Sequence, residues 1–242
     1  MRRPTVTKES QSLQELVEAL RIKKGRIQEG VFSWAGSNTA RYPWRHVGST
    51  PYEVLIGEIL IEKTTYAVAN RVYRRFLRHF PSFSALAEAN EDKLARALDF
   101  SYLKPYGTFI KSVIQDLLKK GIAGVPKDSY ALQALGLQAH NINAIMCFGY
   151  GLHLAVIDSN VSRMLSRLFR NNLPSQPSRG LFQAIGEALL PDFDAALYNS
   201  SLLDLADRMC SVARPLCVQC SVPYVCDHAS ANVDILSIDS KS

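Results

Sequence analysis

Apolar residues recur at helical spacing along almost the whole chain of 242 residues, at positions i, i+3, i+4 and i+7. No segment alternates strictly between apolar and polar residues, which is the pattern of a half-buried strand. The spacing therefore predicts an all-α fold. The longest predicted helix runs from Tyr52 to Phe80, where Pro81 ends it.

The other predicted helices are shorter and are separated by polar turns. The first of them follows Ser12, with an apolar face made of Leu13, Leu16, Val17, Leu20 and Ile22. The rest are predicted at residues 83–89, 91–98, 108–119, 129–135, 139–148, 159–169, 178–190 and 194–210. No internal repeat or low-complexity linker marks a domain boundary.

Composition narrows the class of protein and its partners. The chain is 47% hydrophobic and 21% charged, which excludes a disordered or collagen-like chain. It has no apolar run near the length of a membrane span, and the basic, polar N-terminus lacks the apolar core of a secretory signal. We therefore expect a protein of the cytoplasm, nucleoid-associated if prokaryotic, with no membrane partner. The net charge, 28 − 22 = +6, favours a polyanionic partner without establishing one.

Four of the five cysteines lie close together near the end of the chain, at Cys210, Cys217, Cys220 and Cys226. Thiolates gathered in one loop repel each other, and a bound metal offsets that cost. Zinc usually binds two separated cysteine pairs, whereas this single asymmetric stretch favours a [4Fe-4S] cluster. Zinc and unligated thiols remain alternatives, and Cys147 is predicted to be a buried core residue.

Three segments carry a resemblance to a known family. They are YPWRHVGSTPYEVLIGEILIEKTT from Tyr42, GLQAHNINAIMCFGYGLHLAVIDSNVSRM from Gly136, and ALYNSSLLDLADRMC from Ala196. Together they resemble the helix-hairpin-helix DNA glycosylases of the endonuclease III type, in the branch with a four-cysteine iron–sulfur loop. Within that superfamily the chain looks most like the mismatch glycosylases, which remove thymine from G/T or adenine from A/G pairs.

The resemblance implies a fold of two helical lobes with a DNA cleft between them. Residues 1–48 and 158–242 would form the lobe that carries the cluster loop. Residues 49–157 would form a helical barrel, with the helix-hairpin-helix at about 129–150.

Two carboxylates match positions that carry the chemistry in this family. Breaking an N-glycosidic bond builds positive charge on the sugar and negative charge on the base, so a carboxylate and a proton donor are needed. The resemblance assigns the carboxylate role to Asp158, which also suits the N-cap of the helix that follows it. It assigns the general acid, or the activation of water, to Glu58.

The predicted hairpin departs from the family's glycine-rich loop. Gly136 keeps the first glycine, but Gln138 replaces the second, so the phosphate clamp is expected to be weaker or supplemented by the Gln138 amide. His140 stands where bifunctional members carry the lysine that forms a Schiff base. The resemblance therefore implies a glycosylase without efficient AP-lyase activity, in which His140 lines the base pocket.

Further residues match the family's DNA contacts. Lys63 and Leu103 align with side chains that fill the space left by a flipped base. Lys104 and Arg214 are candidate phosphate contacts.

These features predict a monomeric enzyme that acts on double-stranded DNA and removes thymine or uracil opposite guanine. The chain ends soon after the cysteines, which weighs against the alternative of an adenine glycosylase for A/G or A/8-oxoguanine pairs. A DNA-binding protein that has lost catalysis is the alternative of another class, since the hairpin is degenerate. An electron-transfer protein is a third, for which no partner surface is evident.

Overall fold

The computed structural model describes residues 8–38, 42–46, 48–62, 64–98 and 101–232. Throughout these ranges the regular structure is helical, with no strand, which confirms the predicted all-α class. None of the described helices is long and apolar enough to cross a membrane. The α-helices are α1 (Lys8–Ser37), α2 (Pro51–Glu62), α3 (Tyr66–His79), α4 (Phe83–Ala87), α5 (Glu91–Leu98), α6 (Lys104–Lys119), α7 (Ser129–Ala134), α8 (Ala139–Ala144), α9 (Ser159–Leu168), α10 (Arg179–Leu189), α11 (Ala195–Arg208) and α12 (Asp227–Asn232).

The chain forms two compact units. The cysteine unit comprises Met1–Arg41 and Leu154–Ser242, and the hairpin unit comprises Tyr42–His153. The predicted boundaries, 48/49 and 157/158, lie four to seven residues later than these. The first boundary comes earlier because Trp44, which is 0% exposed, packs on α2. The second comes earlier because the backbone of residues 154–156 is hydrogen-bonded to α10 and α11.

In the hairpin unit, α2 is the central helix. Its residues from Val54 to Leu60 are all buried, which suits a helix that contacts α3, α6 and α8. Helix α3 is amphipathic and buries a single stripe, with its arginines on the other side. Because α2 is packed by several neighbouring helices, it holds its side chains in fixed positions.

The single long helix predicted from Tyr52 to Phe80 is wrong. The structure has two helices there, α2 and α3, with Thr65 extended at the N-cap of α3 (φ −85°, ψ 159°). Thr64 and Thr65 are β-branched, and threonine is favoured at N-caps over helix interiors. The apolar periodicity continues across the break, so it could not show the interruption.

In the cysteine unit, α1 packs against α10 and α11, and α9 packs against α10, α11 and α12. At 30 residues, α1 is the longest described helix. Its buried face is formed by Leu16, Ile27, Val31 and Trp34. Of the five residues predicted for that face, only Leu16 is buried, whereas Leu13, Val17 and Ile22 are exposed. The face of α1 that packs against α10 and α11 is therefore formed mainly by residues in the C-terminal half of the helix.

Candidate functional site

Glu58 is the acidic residue inside the buried part of α2, and it is 1% exposed. Arg45 pairs with it in a bidentate manner, because Nε donates to Oε1 at 2.6 Å and Nη2 donates to Oε2 at 2.9 Å. Trp44 Nε1 also donates to Oε1, at 2.9 Å. Both carboxylate oxygens of Glu58 are thus occupied by donors.

A glycine makes this arrangement possible. A Cβ at Gly57 would lie 2.1 Å from the Trp44 ring, so only glycine lets the indole lie against α2. The Arg45 guanidinium lies 4.4 Å from the centre of the Tyr42 ring, which supports it from the other side. The YPWR segment is therefore built around the Glu58 carboxylate.

This geometry bears on the two roles that the resemblance assigns to Glu58, general acid or activation of water. The Arg45 guanidinium donates charge-assisted hydrogen bonds to both carboxylate oxygens, which act as acceptors. Glu58 as it stands suits a hydrogen-bond acceptor or a base, and the role of general acid would require the pair with Arg45 to open. Arg45 is the partner that sequence reasoning missed, although it belongs to the PWR motif.

Asp158 caps α9 in the cysteine unit, as its position predicted. Its backbone is extended (φ −90°, ψ −174°), and Oδ1 accepts the N–H of Val161 at 2.8 Å. The helix N-terminus and this hydrogen bond both favour negative charge on the side chain. The structure therefore holds a partly exposed aspartate at a helix start, which suits the stabilisation of positive charge on a sugar.

The predicted hairpin is formed by α7, a short turn and α8, followed by a π-helical turn at Ile145–Gly149. Gly136 has φ +83°, a backbone conformation that favours glycine. The amide of Gln138 donates to Glu62 Oε1 at 3.0 Å, so in this structure it is bound to a carboxylate rather than open to a phosphate. His140 lies on the first turn of α8 and is partly exposed.

The predicted wedge residue Leu103 is buried in this structure. It is 0% exposed and belongs to the core of the hairpin unit, so in this conformation it is not available to a DNA duplex. Its neighbour Tyr102 is 50% exposed, and its hydroxyl lies 3.4 Å from Thr64 Oγ1. Lys63 lies outside the described residues, while Lys104, at the start of α6, is exposed as a phosphate contact requires.

The four clustered cysteines line one cavity in the cysteine unit. Apolar side chains from α9 and the loop complete its wall, among them Met164, Leu168 and Val222. Within the described residues, no group of three or more His, Cys, Asp or Glu side chains is arranged to hold a single metal ion. The four thiols share a cavity without converging on one point.

Burial and hydrogen bonding act on these thiols in opposite directions. Burial raises the pKa of Cys220 to about 11, although a backbone hydrogen bond with Val222 partly offsets this. Burial also raises the pKa of Cys226, against backbone hydrogen bonds with Ala229 and His228. Backbone N–H groups aimed at sulfur are typical of sites that hold thiolates on a metal centre.

Two arginines of α9 hold the start of the cysteine loop. Arg163 Nε donates to the carbonyl of Cys210 at 2.7 Å. Arg167 donates to Cys210 Sγ at 3.1 Å and to the carbonyl of Ser211 at 2.7 Å. The helix capped by Asp158 is thus bonded directly to the first cysteine. Arg214 is exposed within the same loop, where the sequence placed a phosphate contact.

The helical hairpin, the aspartate at a helix start and the four-cysteine loop together define a base-excision repair fold. The family model described as "HhH-GPD superfamily base excision DNA repair protein" matches residues 56–185. The chain belongs to this HhH-GPD superfamily.

Several curated relatives are DNA glycosylases. A thymine/uracil-DNA glycosylase of Methanothermobacter thermautotrophicus is 24% identical over 197 residues, which cover 79% of this chain and 88% of the relative. An adenine DNA glycosylase of Buchnera aphidicola is also 24% identical, over 76% of this chain and 52% of the relative. The chain thus spans about half of that adenine glycosylase.

Among solved structures, a thermostable thymine-DNA glycosylase superposes with a TM-score of 0.78 at 22% identity, over 88% of this chain and 99% of that one. An endonuclease III trapped on DNA gives a TM-score of 0.69 at 18% identity, over 86% of this chain and 97% of that one. These likenesses confirm the predicted fold.

Proposed function

We propose that the protein is a monofunctional DNA glycosylase that hydrolyses the N-glycosidic bond of a mispaired base in double-stranded DNA. The observation that carries this proposal is Asp158, a partly exposed carboxylate held by the N-terminus of α9 in a chain of the HhH-GPD superfamily. A negative charge held by N–H groups needs no reorganisation when positive charge develops on the sugar.

Glu58 is the second proposed catalytic residue. Held as a carboxylate by Arg45 and Trp44, it would accept a hydrogen bond from the attacking water or from the base. Of the two roles predicted for Glu58, general acid or activation of water, this assignment takes the activation of water, because Arg45 and Trp44 donate hydrogen bonds to its carboxylate oxygens.

His140 supports the absence of efficient AP-lyase activity. Imidazole does not form the Schiff base that a lysine amine forms with the opened sugar. His140 would line the base pocket, where its ring nitrogens can hydrogen-bond a flipped base. The product would then be an abasic site in an unbroken strand.

Thymine or uracil opposite guanine is the substrate that we favour. The thymine/uracil glycosylases from Methanothermobacter thermautotrophicus and Pyrobaculum aerophilum match this chain over 88% and 80% of their own lengths. Adenine glycosylases match at similar identity, so adenine opposite guanine or 8-oxoguanine is the second candidate.

We also propose that the cysteine loop holds a [4Fe-4S] cluster through Cys210, Cys217, Cys220 and Cys226. The residues fit such a group, since four thiols line one apolar cavity and backbone groups hydrogen-bond two of them. Four cysteine thiolates are the ligand set that a [4Fe-4S] cluster would take from a protein. When bound, the cluster would act as a structural cross-link.

The DNA contacts are proposed from exposure and charge. The hairpin with Gly136 and Gln138, together with the exposed Lys104 and Arg214, would contact the phosphate backbone of a duplex bound by a monomer, once the Gln138 amide leaves Glu62. Lys63 is proposed from the sequence alone as a side chain that fills the space left by a flipped base. The exposed Tyr102 replaces the buried Leu103 as the side chain proposed to fill the space left by the flipped base. We expect this enzyme in the compartment that holds the DNA.

Single-turnover base release tests the proposal. The duplexes would carry G/T, G/U, A/G, A/8-oxoguanine or oxidised pyrimidines, each assayed with and without alkali. We expect release from G/T or G/U, with strand breaks only after alkali. Breaks without alkali would contradict the monofunctional assignment, and release confined to adenine pairs would establish the second substrate.

Asp158→Asn gives the decisive comparison. Asparagine is a good N-cap, so the helix should persist while the charge is lost. Base release should disappear and DNA affinity should remain. The matched control is Asp194→Asn, because Asp194 also caps a helix of the same unit, through Leu197 N–H at 3.1 Å. If no duplex loses a base but binding is retained, the DNA-binding alternative is correct.

A further inference from the structure

The segment that leads into Asp158 has no regular structure, and its residues Ala155 and Val156 are buried. Residues 151–157 belong to no helix, yet Ala155 and Val156 are each 1% exposed. Buried backbone N–H and C=O groups must find partners, and this segment has neither a helix nor a sheet to supply them. The partners therefore have to be side chains.

Three side chains supply these partners. Asn199 on α11 donates from Nδ2 to the carbonyl of Leu154 and accepts the N–H of Val156 at Oδ1, both at 2.9 Å. Glu187 on α10 accepts the N–H of Ala155 at 2.9 Å, and Gln183 donates to the carbonyl of Ala155 at 2.9 Å. Four successive backbone polar groups are thus paired across the segment.

The three side chains are themselves fixed. Gln183 Nε2 donates to Glu187 Oε1 at 2.7 Å, and Asn199 Nδ2 also donates to the carbonyl of Ala195 at 2.8 Å. Asn199 is 1% exposed, so it has no alternative contact with solvent. This set of three residues, Gln183, Glu187 and Asn199, is called the backbone clamp below.

A glycine brings the segment onto α10. A Cβ at Gly186 would lie 2.5 Å from Ile157 Cδ1 and 3.1 Å from the Cβ of Ala155. The close approach places the segment within hydrogen-bonding reach of Gln183 and Glu187. Ile157 is the residue directly before Asp158, so the position of Asp158 is set by the clamp on one side and by α9 on the other.

We propose that the backbone clamp positions Asp158 for base release, with Asn199 as its principal member. The inference rests on the proposed function, since it assigns a role through the carboxylate of Asp158. Asn199 is a positioning residue and not a catalytic one. Displacement of a reacting group by about 1 Å can slow a reaction by about 100-fold, so loss of the clamp should act on the rate of the chemical step.

Asn199→Ala is the direct test, measured as the single-turnover rate constant with enzyme in excess over a G/T or G/U duplex. We expect the rate constant to fall about 10- to 100-fold, while the dissociation constant for the duplex stays within about twofold of that of the unchanged protein. A partial loss of folded protein leaves this rate constant unchanged while folded enzyme stays in saturating excess, and the fraction of active enzyme is measured separately by titration with excess duplex. Gln183→Met removes the donor to the carbonyl of Ala155 and to Glu187 but keeps both hydrogen bonds of Asn199 to the segment, so it should give a smaller slowing.

Trp34→Phe is the matched control. It removes a buried hydrogen bond to Asp204 on the same helix, α11, at 3.2 Å, without touching the clamp. Its rate constant should be unchanged even if its melting temperature falls. Equal slowing in Trp34→Phe and Asn199→Ala, or no slowing in either clamp variant, would overturn the inference. If Asp158→Asn keeps full activity, the proposed function itself fails, which is a separate result.

Discussion

Replacing Glu58 by glutamine tests whether the buried pair with Arg45 organises the hairpin unit. Glutamine keeps the shape of the side chain but removes its charge, and its amide would face the donors of Arg45. Arg45 is 5% exposed, so its buried charge would lose the carboxylate that pairs with it. Breaking a buried ion pair on one side costs about 3 to 5 kcal/mol. For a protein of this size that free energy corresponds to a fall in Tm of about 6 to 20 °C.

The assay is thermal unfolding followed by circular dichroism, with two companion variants. Glu18→Gln makes the same chemical change in the Glu18–Arg21 pair, whose side chains are 54% and 73% exposed, and should leave Tm almost unchanged. Arg45→Met combined with Glu58→Leu removes both buried charges and should recover most of the loss. If Glu58→Gln melts at the same temperature as Glu18→Gln, the reasoning from burial is refuted.

Three other predictions follow from individual contacts. Gly57→Ala should lower the free energy of unfolding by about 1 to 3 kcal/mol, because the added Cβ would overlap the buried indole of Trp44. Gly25→Ala, with open space around the added Cβ, should not destabilise α1, and urea denaturation compares the two variants. Burial raises the pKa of Tyr198, so the neutral phenol contributes stability below the ordinary tyrosine pKa of about 10, and this stability is lost as the pH rises above that value. Tyr198→Phe should therefore lose less stability than the unchanged protein between neutral and alkaline pH, measured as the urea midpoint. Cys220→Ser should lower the bound iron and the visible absorption of the purified protein, whereas Cys147→Ala, at a core position outside the cysteine cavity, should change neither. Equal iron content in the two variants would contradict the proposed ligand set.

The features that could be read from the sequence are those in which one stretch of chain determines the outcome. The spacing of apolar residues predicted nearly all of the helices, because a helix that buries one face needs apolar residues at three- and four-residue intervals, whichever element it packs against. Asp158 was recognisable as an N-cap because capping depends on the backbone a few residues ahead. The cysteines were recognisable as a group because they lie within one loop.

The tertiary structure decided the features that depend on contacts between distant segments. The periodicity of α6 cannot show that Leu103 is in the core while Tyr102 is exposed, because both lie in the 3-10 turn that precedes α6, and packing sets the orientation of that turn. The sequence left the role of Glu58 open between general acid and activation of water, and only the fold showed that Arg45 binds its carboxylate. Asn199 gave no signal at all, since its partners are backbone atoms of residues 154 and 156, more than forty positions away. Backbone groups are the same in every residue, so the sequence carries no mark of which ones a side chain will bind.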